Sequence, residues 1–263
     1  MKTKFDKIYV ISLISNKDRQ EFIKYQMNEL GIDFEFVYGI DFHNLKYDRL
    51  GNKINYPNLS EFNHLDNYNT YSCAIAHYQA VLQAYEFEYM NVLIIEDDTC
   101  FIKDKSILEN YLNDIPTDAD FITYIPRFYN YYESDNFYNE INLEKKYIKL
   151  NNYLKSCGAG MYGLMNRKTI ELYLSDQRNK FDCADHINHF YENPSINRYA
   201  AVQAIATDQF NLNKKGLLTE ENINKGFFCY IQKNIINDYD DFYKPLKFNL
   251  SNINIYIQNE NKI

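Results

Sequence analysis

Tryptophan is absent from this 263-residue chain, and cysteine is sparse and scattered. Cys73, Cys100, Cys157, Cys183 and Cys229 form no CxxC pair and are odd in number, so neither a disulfide framework nor a zinc site is expected. Reduced thiols in a cytosol-like compartment are the simplest reading. No apolar run reaches the roughly 18 residues that a membrane span requires. The apolar stretch in "MKTKFDKIYVISLISNKDRQ" is too short for a signal peptide, and Asp6 interrupts its lead-in. A cytoplasmic protein, soluble or peripheral to a membrane, is the expectation. Basic charge is also in deficit: the net charge of −8 argues against a general nucleic-acid binder. An anionic ligand would then need a metal or a local basic cluster.

What is present points to a folded domain. Hydrophobic residues make up 46% and aromatics 17%, enough for a sizeable core. The 26 tyrosines accompany abundant Asn, Ile and Lys, a compositional bias, so each Tyr is not read as a sugar-stacking platform. No internal repeat or clean linker appears. One domain over 1–263 is expected, with an extension at 211–263 that packs back.

The most informative stretch is "VLIIEDDTCF", 92–101. Its apolar run reads as a strand buried on both faces, as in a mostly parallel sheet under helices. Glu96, Asp97 and Asp98 then fall at the strand's carboxyl end, the edge where open α/β sheets bind ligands. Three adjacent carboxylates repel one another, so they suggest an oxygen-liganded cation, Mg²⁺ or Mn²⁺. The plainer alternative is a solvated acidic turn.

Around it, "KIYVISL" (7–13) reads as a strand and 15–31 as a helix capped by Ser15 or Asn16 and stopped by Gly31. "FEFVYGID" (34–41) is a second strand, giving a β-α-β opening. Residues 42–69 read as a long loop of the kind that often serves as a lid or binding loop. A helix follows over 71–88, with Ser72 as a possible cap and Ile75, Tyr78, Val81/Leu82 and Tyr85 as its apolar stripe. Further on come a helix at 106–116, a strand at 120–126, an ambiguous region at 127–150, a Gly-rich strand and helix at 157–176, a polar helix at 181–193 and a strand within 198–209.

Several residues carry both a functional and a plain reading. His77, one turn after Cys73, lies either near a nucleotide or metal or bonded in the core. Asp182, Asp185, His186 and His189 cluster within two helical turns, as a general base, a sugar-binding acid or a metal ligand, or else as a solvated face. "GAG" at 158–160 lacks the spacing of a phosphate loop and fits close packing or ligand approach. Arg19 and Arg167 lie near strand ends and could meet phosphates, with exposed surface Arg as the default. Asp104, with Lys103 and Lys105, reads as a solvated turn.

Taken in order, these pieces resemble glycosyltransferase family 25, which includes bacterial lipooligosaccharide galactosyltransferases and procollagen galactosyltransferases. "IYVISLISNKDRQEFIKYQMNELGIDFEFVYGID" is similar to the family's opening. "NTYSCAIAHYQAV" keeps Cys73 and His77 of a Gly-Glu-x-Gly-Cys-x-x-Ser-His landmark, with Thr70 in place of the acid, Ser72 in place of Gly and Ala76 in place of Ser. "LIIEDD" is intact, Gly158 to Tyr162 matches a Gly-x-x-x-Tyr landmark, and "ADHIN" places Asp185 in a Val-Asp-x-x-Leu-like setting. The resemblance covers roughly 6–210.

It implies a GT-A-like α/β fold with a mostly parallel central sheet and helices on both faces, a UDP-hexose donor, and transfer with inversion to a glycan, glycolipid or hydroxylysine-type protein acceptor. Mn²⁺ or Mg²⁺ would bind at Asp98 with Asp97 or Glu96 as helper. Arg19, His77, Glu96, Asp97, Gly158 and Tyr162 would face the nucleotide sugar. Asp185, or secondly Asp182, would be the base on the acceptor hydroxyl. The competing class is a non-catalytic relative binding a nucleotide sugar, glycan or partner protein, a reading opened by the changes at 70, 72 and 76. A metal-dependent phosphohydrolase lacks a nucleophile motif and ranks below both.

Overall fold

The structure, a computed structural model, describes residues 1, 3–42, 68–124, 145–150, 163–179, 193–202 and 205–208. Among them the elements run β1 (Lys7–Leu13), α1 (Lys17–Leu30), β2 (Glu35–Gly39), α2 (Tyr68–Glu86), β3 (Asn91–Glu96), β4 (Thr99–Phe101), α3 (Lys105–Asn113), β5 (Phe121–Thr123), β6 (Tyr147–Lys149), β7 (Gly163–Asn166), α4 (Arg167–Asn179), β8 (Arg198–Ala201) and β9 (Ala206–Asp208).

Seven strands form one sheet in the order β2-β1-β3-β7-β5-β8-β6, and β4 pairs with β9 in a separate ribbon. Strands β1, β2 and β3 pair in parallel, as does β5 with β8. Strand β7 runs antiparallel to both β3 and β5, and β6 runs antiparallel to β8. The sheet is therefore mixed, where the sequence reading expected it to be mostly parallel. The β-α-β pattern dictates direction only for the strands it joins. Strand β7 enters between β3 and β5 from the opposite edge, and periodicity carries no information about that insertion.

The expectation of a strand buried on both faces holds for β1 and β3. Ile8, Val10, Leu93 and Ile95 pack with Ile23, Met27 and Leu30 of α1 and Leu108 and Leu112 of α3. On the other face Tyr9, Ile11, Val92 and Ile94 pack with Ala76, Ala80, Val81 and Ala84 of α2 and Ile170, Tyr173 and Leu174 of α4. The buried face of α2 keeps Val81 of the expected stripe, with Tyr78 and Leu82 packed at its side, and otherwise differs from it. It is lined by Ala76, Ala80 and Ala84 at i, i+4, i+8, while Tyr85 is exposed. Small residues let the helix lie close to the sheet and to α4, leaving the larger tyrosines at its margin.

Caps differ as well. Gly31 ends α1 in the left-handed conformation at φ 65°, as expected. Asn16 stands at the N-cap position of α1 without making a side-chain cap bond, and Ser15 donates instead to Asp41 at 2.6 Å. Ser72 lies inside α2 and is buried. Asp104, read as a solvated turn, is the N-cap of α3: its carboxylate accepts from the N–H groups of Ser106 and Ile107 at 2.9 and 3.1 Å. Arg167 sits at the edge opposite the acids, because β7 is reversed relative to β3. It donates to the Tyr85 carbonyl at the end of α2 and stacks 4.2 Å from the Tyr85 ring centre.

Asp120 ties the second half of the sheet together. Its carboxylate accepts from Lys168 at 2.7 Å, Asn166 at 2.8 Å and the Asn197 N–H at 2.8 Å. Burial alone would raise its pKa, but Lys168, the Asn197 N–H and Asn166 together hold it below the ordinary carboxylate value. A depressed folded-state pKa gives stability that is present above the unfolded pKa of about 3.9 and lost as pH falls through the folded value. Urea titrations below about pH 4 should show that loss, and Asp120→Asn should flatten it. An unchanged pH slope in the variant would remove Asp120 from the account.

Candidate functional site

The parallel pairing of β1, β2 and β3 puts their carboxyl ends side by side, and the three acids stand at the end of β3. Backbone bonding fixes the first turn beyond the strand: the Asp97 N–H donates to the Ile11 carbonyl at 2.9 Å. The three carboxylates then part into different environments.

Asp97 is turned inward, with a side chain only 6% exposed. Its Oδ2 accepts from Ser12 Oγ at 2.7 Å and from Asn16 Nδ2 at 3.2 Å, and its Oδ1 accepts from Arg19 Nη1 at 3.0 Å. Gln20 reinforces this corner by donating to the Leu13 carbonyl at 2.7 Å. A buried charge is tolerable only when hydrogen-bonded in this way. Both Asp97 oxygens are thus engaged by β1, the β1–α1 turn and α1.

Glu96 faces α2. Its Oε1 lies 3.1 Å from His77 Nε2 and accepts from the Cys73 thiol at 3.4 Å. His77 is completely buried, so its ring is enclosed between α2 and the sheet edge. Asp98 is the outward one of the two aspartates, with a side chain 20% exposed and Arg19 Nη1 at 3.8 Å. Burial works against the Arg19 cation, yet the fields of Asp98 and then Asp97 keep its pKa above the ordinary arginine value. Arg19 is therefore a fixed positive charge shared between two carboxylates.

The structure so brings together Arg19, His77, Glu96, Asp97 and Asp98 at one sheet edge, in two bonded sets: Arg19 with Asp97 and Asp98, and Glu96 with Cys73 and His77. Asp182, Asp185, Gly158 and Tyr162 lie outside the described residues. Sequence reasoning missed Ser12 and Asn16. Their one signal was position, at the end of β1 and in the turn beyond it. It also missed the β4–β9 ribbon, which sets the backbone of Asp208 opposite Thr99, one residue past the acids. Gln26 secures β4 to α1, donating to the Thr99 carbonyl at 3.0 Å and accepting from the Phe101 N–H at 2.9 Å.

For a hard divalent cation the donor chemistry fits at Asp98, an oxygen ligand with access to solvent. Asp97 is bonded within the protein through both oxygens, and those bonds hold the turn. Two of the three changed landmark positions, 72 and 76, prove to be packing positions. Ser72 is buried against Gly39, where an added Cβ would come within 2.7 Å of Ser72 Oγ, and Ala76 is wholly buried on the sheet.

A parallel-stranded edge carrying acids and a shared arginine is the arrangement of an α/β ligand-binding enzyme. Residues 5–182 match glycosyltransferase family 25 (LPS biosynthesis protein), and the chain belongs to that family. Its activity class is accordingly glycosyl transfer, with a sugar donor and an acceptor. No curated protein matches the chain. Among the described residues no helix is long and apolar enough to cross a membrane.

Proposed function

We propose that the chain is a metal-dependent, inverting hexosyltransferase that moves galactose or glucose from a UDP-sugar to a hydroxyl of a glycan, glycolipid or protein acceptor. The observation that carries this reading is the division of labour among the acids. Asp97 is anchored by Ser12, Asn16 and Arg19, and Glu96 faces Cys73 and His77, while Asp98 reaches solvent at the strand end.

Asp98 would hold Mn²⁺ or Mg²⁺, which when bound supplies Lewis-acid neutralisation of the diphosphate leaving group. Asp97 fixes the turn from which Asp98 projects. Arg19 bridges the two aspartates and adds positive charge near the leaving group's side of the site. Inversion in a single displacement needs a base on the acceptor hydroxyl, and Asp185, or secondly Asp182, is proposed for it. Gly158 and Tyr162 are proposed donor contacts. Ser72 and Ala76 are accommodated in packing, which supports the catalytic reading over a non-catalytic relative.

The test is UDP release from a panel of UDP-sugars, with Mn²⁺ and with EDTA, alongside calorimetry of UDP with Mn²⁺. Release from one UDP-hexose, abolished by EDTA and restored by Mn²⁺, is the expected result. No release combined with no UDP binding would overturn the proposal.

A further inference from the structure

We propose that Cys73, His77 and Glu96 form a second cation site, of zinc-class chemistry, beside the Asp98 position on the same sheet edge. Cys73 Sγ, His77 Nε2 and Glu96 Oε1 all lie within 4.8 Å of one another. Two of the separations are 3.4 Å and 3.1 Å. Ligand bonds of about 2.0–2.3 Å around a tetrahedral zinc put neighbouring ligand atoms roughly 3.3–3.8 Å apart. The cluster is thus close to the required spacing before any ion binds. Cys73 and His77 stand at i and i+4 on α2, the spacing by which one helix face offers two ligands to zinc.

Ligand softness separates this site from Asp98. A thiolate and an imidazole favour zinc-class ions, whereas carboxylate oxygens alone suit Mg²⁺ and Mn²⁺. Access is one-sided. His77 seals the inner end, while Cys73 is half-buried and the Glu96 side chain is 27% exposed, so a water or another ligand can complete the shell from outside. Binding requires the Cys73 thiol to release its proton and His77 Nε2 to present its lone pair, with the imidazole proton on Nδ1. Nδ1 has no acceptor among the described residues. Absence of that outer partner sets the affinity about 10–100-fold below a fully supported histidine site.

Sequence reading excluded zinc for want of a CxxC pair. The donors here come from a helix and from the end of a strand some twenty residues later, and only folding joins them. The site rests on its own donor atoms and takes no ligand from Asp98.

Titration of metal-free protein with Co²⁺, in excess Mg²⁺ and without nucleotide, tests it. One Co²⁺ per chain is expected, with a near-ultraviolet thiolate-to-cobalt charge-transfer band. That band should disappear in Cys73→Ser and on adding Zn²⁺. Glu96→Gln, at a partly exposed position, should weaken Co²⁺ binding by at least about tenfold. No charge-transfer band in the wild type would overturn the site and leave the cluster as a hydrogen-bonded clamp on Glu96. A band unchanged in Cys73→Ser would overturn it equally, by assigning the thiolate elsewhere.

Discussion

Asp98→Asn is expected to cut metal-dependent turnover of the UDP-sugar about 10²–10³-fold, the loss that follows removal of one electrostatic stabiliser of developing charge. The exchange keeps size and shape while deleting the negative charge that would hold the cation. Asp98 is partly exposed, and its 3.8 Å contact with the half-exposed Arg19 is screened by solvent, so little stability should go with it. Asp97→Asn should behave in the opposite way. It breaks charged hydrogen bonds to Ser12, Asn16 and Arg19 in a buried pocket. Such bonds are worth about 1.5–3 kcal/mol, and the lower end applies because Arg19 reaches solvent. Urea unfolding and initial rates measured on the two variants side by side separate holding the turn from holding the cation. Equal stability losses in both, or full activity in Asp98→Asn, would reject the assignment.

Gly163→Ala should be among the most destabilising single changes in the sheet, by more than about 3 kcal/mol, above the usual cost of overpacking. Gly163 opens β7 and pairs with Ile94 on one side and Thr123 on the other. A Cβ there would fall inside the radius of the Ile122 carbonyl oxygen and close to its carbon. That obstacle is backbone in a central strand, so it cannot swing aside as a side-chain tip could. Relief would require β5 and β7 to part, and β7 is the strand lying against β3, which carries the acids. Thermal or urea denaturation with circular dichroism would register the loss. A variant as stable as the wild type would mean that the close approach of β7 to β5 is not needed.

Residue pattern alone was enough for the elements around the site. The run Val92–Ile95 specifies a doubly buried strand because its side chains are apolar on both faces of the pleat, and β1 likewise fell where expected. Gly31 marked the end of α1 because a left-handed residue stops a helix at least cost in glycine. The position of the acids at the carboxyl end of β3 also followed, since an apolar run passing straight into charge marks where the buried strand ends. The family's landmarks were legible for the same reason: each is a short contiguous pattern.

Tertiary structure decided what no local pattern encodes. Whether β7 runs with or against β3 depends on a strand inserted from far along the chain, so the sheet is mixed. Which face of α2 is buried was set by how closely alanines let it approach the sheet and α4, and that put His77 in the core. Glu96, Asp97 and Asp98 are chemically alike and adjacent in sequence. They differ because Cys73 and His77 meet the first, Ser12, Asn16 and Arg19 hold the second, and solvent and Arg19 face the third. Those partners lie some twenty to eighty-five residues away, and hydrogen bonding at such separations is a property of the fold, not of the sequence around the acids.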